Sequence, residues 1–259
     1  MRRGARCRSA APGAGARLAL LVAVGVGLAG CGGGKPTLKV SAAASLKAAF
    51  TAYGDHFGAA RAAFSFAGSD ELAAQIRQGV KPDVFAAANS KLPAALHGAG
   101  RVEAPVPFAA NRLVLAAPAH GSVHTLADAA RPGVKVAIGT GSVPIGSYTR
   151  QVLGRLPAGT RRAILRNVRS EEPDVGGIVA KLTQGAADAG FVYVTDVRAA
   201  GGRLRAIELP PSTQPRVTYA VAVVTGAGHP REARAFIRGL LSGAGQRALR
   251  AAGFEPPPR

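Results

Sequence analysis

The chain has 259 residues, a formal net charge of +19, two cysteines and no tryptophan. That length suits one large domain or two smaller lobes, and two cysteines exclude a disulfide-rich scaffold. The basic excess is dispersed, carried by Arg far more than Lys, and no basic run alternates with aromatics, which argues against a nucleic-acid surface.

The chain opens with Arg2, Arg3, Arg6, Arg8 and Arg17 around and ahead of the apolar run LALLVAVGVGLAG. That run is shorter than the roughly 20 residues a membrane-spanning helix needs. It ends in LAGC, with small residues directly before Cys31. This is the pattern of a secretory leader with a lipoprotein cleavage site. Residues 1–30 are therefore expected to be removed, taking Cys7 with them, and Cys31 to carry lipid. GGGKPT then reads as a flexible tether. The body keeps no free cysteine, no disulfide and no cysteine metal site. Its expected place is outside the cytoplasm, on the cell membrane, held by the lipid anchor.

Strands and helices alternate from there. TLKVSA reads as a buried strand, and SLKAAFTAYGDHF as a helix with Leu46, Ala49, Phe50 and Tyr53 on one face. Ser45 stands at their join, behind three alanines. AFSFAG is a second strand and SDELAAQIRQG a second helix that stops at Gly79. PDVFAAAN and NRLVLAAP are strands, the latter followed by a helix near 124–131. GVKVAIGT leads into SVPIGSYTRQVLGRL, and PDVGGIVAKLTQG is a helix feeding the strand AGFVYV. RVTYAVAVVTG is a long apolar strand, and two helices finish the chain.

This alternation predicts parallel sheets covered by helices, with a ligand site beyond the carboxyl ends of the strands. Ser45, Ser69, Ser142 and Asp174 fall at strand-to-helix joins of that kind. The late strand at 217–225 fits a chain that crosses over, builds a second lobe and returns.

Catalytic patterns are missing. There is no Gly-x-Ser-x-Gly elbow and no phosphate loop, and GTGSVP carries Pro144 where a dinucleotide loop needs its third glycine. His120 and His124 enclose Gly121 and Ser122, a loop rather than a helix face for a metal. The acid pairs Asp70-Glu71 and Glu171-Glu172 fall at or just before expected helix starts, where they complement the helix dipole. What remains is hydroxyls and free N–H groups at helix starts. Such serines either cap their helices or help hold an anion. Two in successive units should face the same sheet edge, which favours the anion.

These segments resemble the extracytoplasmic molybdate-binding proteins of ABC transporters, over nearly all of the body. AAASL (42–46) is similar to the family's first anion loop, with Ser45 in its ligand position, and SFAGSDELAAQI (65–76) to the second, with Ser69. SVPIGSYTRQVL (142–153) resembles the family's Val-Pro-x-Gly-x-Tyr segment, where Ile145 offers its backbone N–H. DVGGIVAKLTQGAADAGFVYVTD (174–196) is similar to the stretch that supplies the Val175 N–H and the Tyr193 hydroxyl. Ile145, Asp70 and Gly176 depart from the residues common in the family. For Asp70, the expected place is the first helical position after an Ser69 cap, with its carboxylate turned to solvent.

The resemblance implies an α/β fold of two lobes, each a mostly parallel sheet flanked by helices, with the ligand in the cleft between them. The lobes are expected to comprise 38–110 with 221–259, and 111–220, following a tether at 31–37. It further implies a non-enzymatic solute-binding protein for molybdate, and for tungstate with it, or alternatively for another tetrahedral oxyanion such as sulfate. Molybdenum enters only as the oxyanion, on Ser45, Ser69, Ile145, Val175 and Tyr193. No cofactor and no nucleic-acid partner are expected. An ABC permease is the expected partner, and a monomer the expected state.

Overall fold

The computed structural model of the protein describes residues 35–258; the expected leader, Cys31 and most of the tether lie outside the described residues, as does Arg259. The chain starts with three parallel neighbours, β1 (Thr37–Ala43), β2 (Arg61–Ala67) and β3 (Val84–Ala87). They are connected through α1 (Lys47–Gly54) and α2 (Ser69–Arg77). After α3 (Lys91–Gly98) and β4 (Val106–Asn111) the chain passes through Arg112 into β5 (Leu113–Pro118), which belongs to a different sheet.

That second sheet is completed by β6 (Val136–Gly139), β7 (Val168–Glu172), β8 (Ala189–Tyr193) and β9 (Leu204–Glu208). Between them run α4 (Pro144–Arg155), α5 (Ala158–Arg166), α6 (Val175–Thr183) and α7 (Val194–Ala199). The chain then returns as β10 (Val217–Val223) and ends in α8 (Pro230–Leu241) and α9 (Ala244–Ala252). The sheet orders are β2-β1-β3-β10-β4 and β7-β6-β8-β5-β9.

Neither sheet is wholly parallel. β10 runs antiparallel to β3 and β4, and β5 antiparallel to β8 and β9. β4 and β5 are separated by a single residue, which reverses no strand but hands the chain from one sheet to the other. The crossing is flanked by an exposed ion-pair cluster. Arg112 pairs with Glu208 at 2.8 Å and with Glu255 at 3.2 Å.

The periodic apolar positions carry the core. Leu46, Ala49, Phe50 and Tyr53 are all buried on one side of the first helical segment. Phe50 packs edge-on against Phe236 of α8, with ring centroids 5.6 Å apart, and against Phe108 of β4 at 6.0 Å. Each such fully buried side chain contributes about 1.5–3 kcal/mol. β3 and β8, each covered on both faces, are buried at every position, as strands between two helix layers must be.

One expected element changes. The helix expected near 124–131 is only a single 3-10 turn at Asp128–Ala130. The Asp128 carboxylate accepts from the N–H groups of His124 and Thr125, at 2.9 and 2.8 Å, which caps a short turn. Pro132 and Gly133, the latter with φ of 86°, then stop it. Glu171 and Glu172 end β7 and so stand just before the start of α6. Among the described residues no helix is long and apolar enough to cross a membrane.

Candidate functional site

Helix starts from both sheets converge on one cavity. From the first sheet it is lined by Ala43, Ala44 and Ser45 after β1, by Ala67, Gly68 and Ser69 after β2, and by Ala88 after β3. From the second it is lined by Val143, Pro144 and Ile145 after β6, by Asp174 and Val175 after β7, and by Tyr193 after β8. Every group stands at the carboxyl end of a strand, where open α/β sheets place their ligands. The space open to the centre of a water molecule is about 10 Å³, within about 210 Å³ free of atoms. It admits a compact solute and no extended one.

Ser45, Ser69, Ile145, Val175 and Tyr193 are thus brought together, all five on the wall of this cavity. Ser142 is not; it is exposed. A larger groove adjoins the site between α1 and the pair α6 and α7, reaching Lys47, Asp196 and Arg203. It is open, and fewer helix starts converge on it.

The serines do not cap their own helices. The cap of α2 is Gly68, with Ser69 as the first helical residue, and Ser45 lies inside a 3-10 turn at Ala44–Leu46 that begins after Ala43. Neither hydroxyl bonds a first-turn N–H of its own helix. Ser45 Oγ instead meets Tyr219 Oη at 2.9 Å, and Ser69 Oγ accepts from the Ala88 N–H at 3.1 Å. Accepting there leaves the Ser69 proton free to be donated elsewhere.

This one-residue shift also moves Asp70, which becomes the second helical residue rather than the first. Its Oδ1 is buried without a hydrogen-bond partner, not turned to solvent as expected. It folds back over the Gly68 backbone, where a Cβ on Gly68 would lie 2.8 Å from it. Asp70 is not on the cavity wall.

On the second sheet the donors are backbone groups. Val175 opens α6, and Ile145 is the second residue of α4, so neither N–H has a carbonyl one turn back. Pro144 at the first position fixes the start of α4 without wasting a donor. Gly146 lets that start sit directly on the end of β6: a Cβ there would fall 1.8 Å from the Thr140 carbonyl oxygen. Asp174 is a true cap, its Oδ1 accepting from the Gly177 N–H at 3.0 Å.

Tyr193 is 1% exposed, and its hydroxyl has no partner. Burial, reinforced by the neighbouring Tyr219, Tyr148 and Asp196, holds its pKa well above the usual phenol value. Burial does the same for Tyr219, aided by Asp196 and opposed by its bonds to Ser45 and Asn111. Both phenols therefore keep their protons. The cavity wall carries no Lys, Arg or His. Its only acid is the capping Asp174. Among the described residues there is no cluster of three metal-ligating side chains. Chemically, the hydroxyls and helix-start N–H groups are uncharged donors suited to an anion, while the Asp174 carboxylate is engaged as the cap of α6.

Two buried polar residues behind the site gave no signal in the sequence. Tyr219 of β10 reaches Ser45, and Asn111 at the end of β4 donates to Thr195 Oγ1 at 2.9 Å and to Tyr219 Oη at 3.4 Å. Tyr219 sits in an apolar strand whose alternation would turn it inward, but nothing local names its partner.

The chain matches the family described as bacterial extracellular solute-binding protein over residues 38–255, and belongs to that family. It is 35% identical to the molybdate-binding protein ModA of Mycobacterium tuberculosis, an alignment spanning 92% of this chain and 95% of that one. It is similar to the substrate-binding domain of a putative molybdenum ABC transporter from Clostridium difficile, with a TM-score of 0.64, 28% identity, and 85% and 98% coverage. The Azotobacter vinelandii periplasmic molybdate-binding protein shares the fold, with a TM-score of 0.75 at 21% identity over 85% of this chain and 100% of that one. The protein is a transport component rather than an enzyme.

Proposed function

We propose that this member of the extracellular solute-binding family captures molybdate, and tungstate with it, and delivers the anion to the permease of an ABC transporter. The observation that carries the reading is a cavity without Lys, Arg or His whose wall brings together the partnerless Tyr193 hydroxyl, Ser45, Ser69 and two helix starts. Molybdate at neutral pH has no proton and four acceptor oxygens. It asks for donors only, and Ser45, Ser69, Tyr193 and the N–H groups of Ile145 and Val175 supply them. A hydrogen bond to a charged group is worth about 1.5–3 kcal/mol, so a handful holds a dehydrated dianion tightly without a counter-charge.

Two lobes, one built on each sheet, would close on the anion by hinge bending. The protein works as a monomer, needs no cofactor, and is tethered outside the cytoplasm through lipid on Cys31. The similarity to the curated molybdate-binding proteins supports the choice of anion. Sulfate, also a proton-free tetrahedral dianion, is the second reading that the same donor set supports. Calorimetry with molybdate, tungstate, sulfate and phosphate tests both. Molybdate and tungstate are expected to bind tightly, sulfate weakly and phosphate not at all; tight sulfate binding with no molybdate binding reverses the assignment.

A further inference from the structure

The hydrogen bonds behind Ser45 form a chain, and one backbone group fixes its sense. The Arg112 N–H donates to Asn111 Oδ1 at 2.9 Å. A backbone N–H can only donate, so the Asn111 oxygen must face it, and the amide NH₂ must face the other way. Its two protons go to Thr195 Oγ1 at 2.9 Å and to Tyr219 Oη at 3.4 Å. Tyr219 is 0% exposed and Asn111 5%, so no water competes for these bonds.

Tyr219 Oη accepts from Asn111 and has one proton of its own. Its other neighbour is Ser45 Oγ, 2.9 Å away. If Ser45 donated to Tyr219, the Tyr219 proton would be buried without an acceptor, which costs the full desolvation of the group. With Tyr219 as donor, the Asn111 and Tyr219 protons are all used. The Ser45 proton is then left to be donated elsewhere, and Ser45 lines the cavity.

We propose that Tyr219 and Asn111 are positioning residues, a one-way hydrogen-bond relay that holds Ser45 as a donor toward the bound solute. The relay rests on the functional reading above, since it serves an acceptor-only anion. It makes the site selective by the sense of one hydroxyl. Molybdate accepts from Ser45, whereas hydrogen phosphate must place its own proton on an acceptor, and a serine held as donor is a poor one. The relay also joins the pocket to the crossing between sheets. Asn111 is the last residue of β4, Thr195 lies in α7 of the other sheet, and Arg112 is the crossing residue itself.

The test is a double-mutant cycle read by calorimetry with sodium molybdate, on the parent, Ser45→Ala, Tyr219→Phe and the double variant. Tyr219→Phe keeps the ring and its packing. It is expected to weaken molybdate binding about 3- to 10-fold, the scale of one modest hydrogen bond. It should also narrow the preference for molybdate over phosphate, which a merely structural role would not do. In the Ser45→Ala background the same change is expected to cost nothing further, because Tyr219 acts through Ser45. Asn111→Ala should behave alike, with a smaller loss that again disappears without Ser45. A Tyr219→Phe protein that binds molybdate like the parent, or one whose loss is undiminished in the Ser45→Ala background, overturns the relay alone. A parent that binds none of molybdate, tungstate and sulfate overturns the functional reading and the relay with it.

Discussion

Gly68 and Pro173 meet backbone to backbone: a Cβ on Gly68 would stand 2.6 Å from the Pro173 carbonyl oxygen. Gly68 belongs to the turn between β2 and α2, and Pro173 to the turn between β7 and α6. The two sheets therefore touch through main chain at the edge of the cavity. Gly68→Ala is expected to leave the protein folded, since its φ of −58° suits alanine, but to hold the sheets apart. Molybdate affinity should fall at least about tenfold, the loss of one charged hydrogen bond, with the melting temperature of the anion-free protein unchanged. Unaltered affinity would show that this contact is not needed for capture.

Tyr193 and Ser69 should part company when each loses its hydroxyl. The Tyr193 hydroxyl is buried with no hydrogen-bond partner among the described residues, so its removal strands no neighbouring donor or acceptor. Tyr193→Phe is therefore expected to leave stability equal or higher while weakening molybdate binding by about 1.5–3 kcal/mol. Ser69 accepts from the buried Ala88 N–H. Ser69→Ala strands that donor, and should lower both affinity and anion-free stability, the latter by about 1–3 kcal/mol. Urea denaturation beside calorimetry checks both. A stable Ser69→Ala protein or a destabilised Tyr193→Phe protein would contradict the hydrogen bonding described.

Asp196 gives the protein a pH dependence of unusual sign. Burial pushes its carboxyl up from 3.8 to about 7; a hydrogen bond from the Tyr193 N–H pulls the other way, and Asp174 adds to the rise. Between those two values the folded chain binds a proton that the unfolded chain has released. The Asp196 contribution therefore stabilises the fold at low pH, declines as pH rises through this window, and is lost above about 7. Asp196→Asn keeps an acceptor for Tyr193 and removes the titration. The variant should gain on the parent as pH rises from 4 to 8, compared by denaturation midpoint. A constant difference across that range would mean that Asp196 titrates normally.

Cys31→Ala should move the protein from the membrane fraction to the soluble one, with molybdate binding intact. A variant still retained on washed membranes would show that anchoring does not depend on lipid at Cys31.

Sequence reading goes furthest where a pattern is local. The 3.6-residue spacing of Leu46, Ala49, Phe50 and Tyr53 declares a buried helix face, and short side chains before Ser45 and Ser69 mark the joins. It fails where a competing local bond decides the outcome. Asp128 gathers two N–H groups into a cap, so a stretch with helical spacing yields a single turn. The capping position is another case. Ser69 is the better cap by residue type, yet Gly68 occupies it, because the serine hydroxyl accepts from the Ala88 N–H instead. Long-range pairs carry no local trace at all. Tyr219 lies 174 residues from Ser45, and only the return of the chain as β10 brings them together.

The division of the proposed donors between two sheets has a consequence for unloading. Ser45 and Ser69 belong to the first sheet, and Ile145, Val175 and Tyr193 to the second. On the proposed reading no Lys, Arg or His holds the anion, and no proton has to move for it to leave. Drawing the sheets apart removes about half of the coordination in a single motion, and water can replace it from the open side. Release would then be a mechanical event, in which whatever docks against the two sheets and spreads them empties the site.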